Sequence, residues 1–129
     1  MNKNLAFTTL LGLTAVILGA FATHSFREVL SMQQMNSLET GIQYQMYHVI
    51  VLLFINSYNG FSVRFKNYLS TFFFLGIILF SGSIYCIHLL GISAKNIWFV
   101  TPFGGFLLIL GWLLMTLFFI KKSRNQKNK

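Results

Sequence analysis

Four long apolar runs without a single charged residue limit what this chain can become. They are Leu5 to Thr23, Gly41 to Tyr58, Tyr68 to Leu90 and Ile97 to Ile120. Each matches the roughly 20 residues a helix needs to cross about 30 Å of hydrocarbon. Lipid offers backbone N–H and C=O groups no partner, so each segment must close its own hydrogen bonds as a helix. The expected fold class is therefore all-α. The chain reads as one domain over residues 1–129, an integral membrane four-helix bundle with spans near 5–23, 41–58, 68–90 and 97–120. A basic tail follows at 121–129.

Charged residues make up 9% of the chain. A soluble domain carries about 25%, so this sequence cannot cover a water-facing surface, and the bilayer is its expected partner. The formal charge of +8 does not indicate nucleic acid, because five of the ten basic residues fall in the tail: Lys121, Lys122, Arg124, Lys127 and Lys129. Basic residues directly after an apolar run are the pattern of a cytoplasmic flank held against anionic lipid head groups. Cys86, the only cysteine, sits inside an apolar run and reads as packing.

Orientation follows from Lys and Arg. Lys3, Arg64, Lys66 and the five tail residues fall on one side, eight in all, against Arg27 and Lys95 on the other. Eight against two places both termini in the cytoplasm by the positive-inside rule. Lys3, the first run and Ala20-Phe21-Ala22 also have the outline of a secretory leader. That run exceeds the usual ~7–15 apolar residues of a leader, so it is expected to stay as a span.

Between runs one and two, Phe26 to Leu30 is expected to form a short interfacial helix. Thr101-Pro102 reads as a helix start, with Thr101 as N-cap and Pro102 in the first helical position. Trp98 then falls where interfacial aromatics belong.

Small residues form stripes that let helices approach closely in lipid. Gly12, Ala15, Gly19 and Ala22 line helix one, Gly76, Gly82 and Ser83 mark helix three, and Gly104, Gly105 and Gly111 mark helix four. They serve either close packing within one bundle or the interface of a homo-oligomer.

The orientation also assigns depth. His24, Gln43, Tyr44, Gln45, Tyr47, His48, Ser81, Ser83, Tyr85, His88 and Thr101 all fall toward the outer leaflet. The cytoplasmic half is nearly all Leu, Ile, Val, Phe and Met. Polar groups in hydrocarbon need partners, so a network joining Gln45 and His48 to Tyr85 or Ser83 is expected. It either pins the helices together or lines a small pocket open to the outer side.

The same residues carry a resemblance. Gly19-Ala20-Phe21-Ala22-Thr23-His24, Gln43-Tyr44-Gln45-Met46-Tyr47-His48, Phe80-Ser81-Gly82-Ser83-Ile84-Tyr85 and Thr101-Pro102-Phe103-Gly104-Gly105, with Gly111-Trp112 after them, resemble motifs of the YgdD-like membrane proteins. That family is also called domain of unknown function 423 and includes the transmembrane protein 256 group. The resemblance runs from about Leu5 to Leu117 and implies a four-span bacterial inner-membrane protein without established biochemistry.

No catalytic constellation is present. The chain has no aspartate for a Ser-His-Asp triad, and its only carboxylates are Glu28 and Glu39. The expected role is therefore non-catalytic, in membrane integrity or in stabilising a partner. A small transporter or channel is the alternative, with Glu39 at the mouth of helix two as its nearest coupling group. His24, His48 and His88 lack tight ligand spacing, so neither metal nor cofactor is expected.

Overall fold

A computed structural model describes residues 2–127, with the side chains of residues 2 and 127 excepted. It contains α1 (Asn2–Thr23), α2 (Met32–Ser57), α3 (Val63–Leu89), a single helical turn α4 (Ala94–Ile97) and α5 (Val100–Lys127). A short 3-10 turn, Phe26–Glu28, lies between α1 and α2. The four long helices pack in chain order, α1 on α2, α2 on α3 and α3 on α5. Short connections make successive helices antiparallel. The start of α1, the end of α2, the start of α3 and the end of α5 thus share one end of the bundle, here called the termini end.

Caps rather than apolar content set where the helices begin. α2 starts at Met32, well before the apolar stretch from Gly41, because Ser31 and Gln34 form a reciprocal capping box. The Ser62 hydroxyl accepts from Phe65 N and starts α3. Gly91, with φ 69°, takes the left-handed position after α3. Thr101 is not the N-cap expected from sequence, because α5 begins at Val100. Pro102 still lies in the first turn, where its missing N–H is not needed, and the Thr101 hydroxyl pairs with Ser83 instead.

α1, α3 and the α4–α5 stretch are long and apolar enough to cross a membrane: Lys3–Thr23, Val63–Leu89 and Ala94–Gln126. α2 is equally long but interrupted by Gln33, Gln34, Asn36, Glu39, Gln43 and Gln45.

The interior has three layers. Toward the termini end, Leu52, Ile55, Phe61, Leu69, Phe73, Ile77, Leu108 and Met115 form the main apolar cluster. At the far end Ala22, Met35 and Leu38 form a smaller one. Polar side chains lie between them. The small residues set helix distances unequally. A Cβ at Gly12 would meet Val49 at 3.3 Å, and one at Gly19 would meet Ile42 at 3.8 Å. At Gly76, Gly104 and Gly111 it would come within 3.0 Å of Leu108, the Leu79–Phe80 backbone and the Phe73 ring respectively. Gly105 makes only ordinary contact with Phe80. Gly82, which the sequence placed among the packing glycines, has nothing within 4 Å. It points off the α3–α5 seam, and Gly76 and Gly104 make the close approach.

The termini end departs from the expectation of a nearly all-apolar half. Lys66, assigned by sequence to the exposed basic flank, is only 6% exposed. Its Nζ donates to the Asn56 carbonyl at 2.8 Å, one of the last carbonyls of α2, which lack helical partners and attract positive charge. Asn56 also donates to Ser70 Oγ at 3.1 Å. Asn4 donates to Asn67 Oδ1 at 3.0 Å and to Asn56 Oδ1 at 3.4 Å. Lys122 donates to the Tyr58 hydroxyl at 2.8 Å. Lys66→Met keeps the aliphatic stem but orphans the Asn56 carbonyl, so it is expected to lower unfolding stability in micelles by about 1 kcal/mol. Unchanged stability would mean the carbonyl finds another donor.

Candidate functional site

The middle polar layer is centred on Gln45 of α2, which is 3% exposed. Its Nε2 donates to the Leu11 carbonyl at 2.7 Å and to Thr14 Oγ1 at 2.9 Å. Its Oε1 accepts from the Tyr85 hydroxyl at 2.7 Å. One amide thereby ties α1, α2 and α3 together. Thr14 passes its own proton to the Leu11 carbonyl at 2.9 Å. Helix geometry allows this, because Gln45 lies on the face that also carries Leu38, Gly41, His48 and Leu52, all buried toward the bundle.

His48 is one turn further along and 6% exposed. Of the expected network, the Gln45–Tyr85 bond forms, but His48 bonds neither Tyr85 nor Ser83. His48 Nδ1 lies 2.7 Å from the Tyr44 carbonyl, which can only accept. The Nδ1–H tautomer follows, leaving Nε2 free to accept from Trp112 Nε1–H at 3.3 Å. The imidazole also lies beside the Phe73 ring, with centroids 5.6 Å apart. His48 thus joins α2 to α5.

The serines complete the layer. Ser81 Oγ donates to the Gly41 carbonyl at 2.7 Å, joining α3 to α2. Ser83 and Thr101 hydroxyls meet at 2.5 Å, joining α3 to α5. Ser83 also donates to the Phe80 carbonyl at 2.9 Å. Near the far end, His88 Nε2 and Ser37 Oγ are 2.9 Å apart. His88 Nδ1 is buried and has no partner among the described residues.

Gln45, His48, Ser81, Ser83, Tyr85 and Thr101 therefore come together in one layer. The other named residues do not. His24 is exposed beyond the end of α1. Tyr44 is 42% exposed, with its ring stacked on Phe80 at 4.9 Å. Gln43 is exposed because, at about 100° per residue, two positions from Gln45 carry it to the opposite side of α2. Sequence reasoning missed Thr14, Ser37 and Trp112. Trp112 left a signal as the only tryptophan in the interior of an apolar run. Thr14 lies beside the small-residue stripe of α1.

A depression at the far end is lined by Arg27, Leu30, Met32, Met35, Asn36 and Glu39, outside the network. His24, His48 and His88 stand in separate environments. Among the described residues no three His, Cys, Asp or Glu side chains gather closely enough to hold a metal ion.

The chain's relatives agree with a membrane protein. The model of a family described as a protein of unknown function, DUF423, matches residues 18–105. A UPF0382 membrane protein of Haemophilus influenzae is 36% identical over 114 residues, covering 87% of this chain and 89% of that protein. The UPF0382 inner membrane protein YgdD of Escherichia coli K12 is 34% identical over 128 residues, covering 93% and 91%. A UPF0382 membrane protein of Staphylococcus epidermidis is 36% identical over 107 residues, covering 83% and 86%. No solved structure matches.

Proposed function

The chain belongs to the DUF423 family of uncharacterised membrane proteins, and from that premise we propose a non-catalytic, four-span inner-membrane protein that supports the membrane or stabilises a partner within it. In this reading α2 crosses as the fourth span, and both termini lie in the cytoplasm. Its polar interior is a set of struts.

The observation that carries this reading is the saturation of Gln45. Its amide makes three bonds to two neighbouring helices, which leaves little capacity for a ligand. Thr14, Ser81, Ser83, Tyr85, Thr101 and His48 are likewise engaged within the protein. α2 accepts polar residues at membrane depth because α1, α3 and α5 satisfy them there. The positive-inside count supports the direction, since Arg64, Lys66 and Lys121 to Arg124 cluster at the termini end.

The test compares cells with and without the gene for permeability to a lipophilic dye and for survival of osmotic and detergent stress. Increased leakage, rescued by the intact gene and by His48→Gln, supports a structural role. Normal membranes in the deletion, combined with cation or proton flux in proteoliposomes, would favour a transporter instead. At the protein level, Trp112→Phe removes the donor to His48 Nε2. It is expected to lower stability by about 0.6 kcal/mol, read by unfolding in micelles, while the protein stays folded.

A further inference from the structure

One face of α2 is exposed along most of its length, with only Phe54 near rings of its own bundle, Phe61 and Phe119, and its spacing is regular. Asn36, Thr40, Gln43, Tyr47, Ile50 and Phe54 recur at intervals of four and three, and all six are exposed. Tyr47, Ile50 and Phe54 are 56%, 59% and 44% exposed. A four–three alternation keeps residues on one line of a helix and is the seam of a left-handed helix pair. The seam faces away from Leu38, Gln45 and Leu52, which α2 buries in its own bundle. From Asn36 to Phe54 it runs about 27 Å, close to the thickness of the hydrocarbon.

The outward faces of α1 and α5 are what lipid selects. They present Leu10, Leu13, Val16 and Ile17, and Phe106, Ile109, Leu113 and Leu117. The outer half of the α2 seam is polar. Ser37, bonded to His88 near the end of α3, marks the level of the far end. Gln43 lies six residues deeper, about 9 Å along the helix. At that depth a lipid chain offers neither donor nor acceptor, and a bare carboxamide is costly. Thr40 satisfies its hydroxyl on the Asn36 carbonyl at 2.9 Å, whereas Gln43 has no hydrogen-bond partner among the described residues.

We infer that the α2 seam is a homodimer interface, in which a second copy of this chain packs on Asn36, Thr40, Gln43, Tyr47, Ile50 and Phe54 and the two Gln43 amides bond each other. A second copy fits because the seam is self-complementary. It carries no charge, and a carboxamide is both donor and acceptor. A twofold axis brings each Gln43 opposite its own counterpart, the arrangement by which one polar seam residue fixes register in paired helices. The inference rests on α2 crossing the membrane as proposed above.

The test uses the full-length chain with Cys86→Ser, in native bacterial membranes. Single cysteines at Thr40, Tyr47, Ile50 or Phe54 are expected to form disulfide dimers under copper–phenanthroline oxidation. Cysteines at Leu13 or Ile109 are not. In liposomes, energy transfer between labelled copies is expected to weaken at least tenfold in apparent affinity with Gln43→Leu, and to persist with Gln43→Asn. Because Gln43 is exposed and makes no hydrogen bond among the described residues, Gln43→Leu should fold normally, with a melting temperature no lower than the parent.

Equal cross-linking at all positions would overturn the inference. So would association unchanged by Gln43→Leu, or cross-linking only to a different membrane protein. The topology is read separately by an impermeant maleimide at Ser25→Cys and Asn59→Cys. Labelling from opposite sides confirms the crossing of α2, so a failed dimer then counts against the seam alone. Labelling from one side removes the fourth span and the seam's membrane setting together.

Discussion

Gly104→Val is expected to part α3 from α5 and to lower stability by about 3 kcal/mol or more, at the upper end of overpacking costs. A Cβ at Gly104 falls within 3.0 Å of the Leu79 carbonyl carbon and the Phe80 N and Cα. These are backbone atoms of a helix, so no rotamer change relieves the clash and the whole helix must move. The same clash at Gly76 falls largely on the Leu108 side chain, which can rotate, so Gly76→Ala should cost less. Gly82→Ala, with open space around it, should be neutral or gain up to about 1 kcal/mol from helix propensity. Thermal unfolding in micelles, followed by tryptophan fluorescence, checks the order. Trp112 reports directly, because it packs edge-on against Phe73 across the α3–α5 seam, with centroids 6.1 Å apart. Equal stability of the Gly104 and Gly82 variants would contradict the close approach.

Gln45→Leu is expected to be the most damaging substitution in the polar layer, at about 2 kcal/mol. The side chain's size is nearly kept, but three interhelical bonds are lost. Such bonds in membrane proteins average about 0.6 kcal/mol and reach about 1.7. Tyr85→Phe removes only the bond to Gln45 Oε1 and should cost less than half as much. A double-mutant cycle between these two substitutions isolates their shared bond, with an expected coupling of about 0.6 kcal/mol. A residue lining an open pocket behaves differently. Its removal leaves stability intact and abolishes activity, so a fully stable Gln45→Leu protein would reject the strut reading.

Some of this could be read from the residues alone. The absence of charge over Leu5–Thr23, Tyr68–Leu90 and Ile97–Ile120 dictates apolar helices, because hydropathy is a sum over a segment and needs no partner. The Ser31–Gln34 and Ser62 caps close within one turn, but sequence reasoning passed over them and named Thr101, which does not cap. Gln45 and His48 were identifiable as groups needing partners, because lipid supplies none. The family resemblance from Gly19 to Trp112 likewise needed only sequence.

Other features depended on which helix faces which. Sequence grouped Gln43 with Gln45, but the rotation of α2 buries one and turns the other outward. His48 was expected to meet Tyr85 or Ser83. Its partner is Trp112, 64 residues away. Lys66 was counted among exposed flanking cations, yet the end of α2 buries it against the Asn56 carbonyl. The apolar runs and their caps were determined by the chain itself, because burial in lipid and capping act within a segment. Which polar group meets which, and which glycine bears the close approach, was decided only by the tertiary structure. Those outcomes turn on rotations of about 100° per residue that sequence spacing records but cannot orient toward a neighbour.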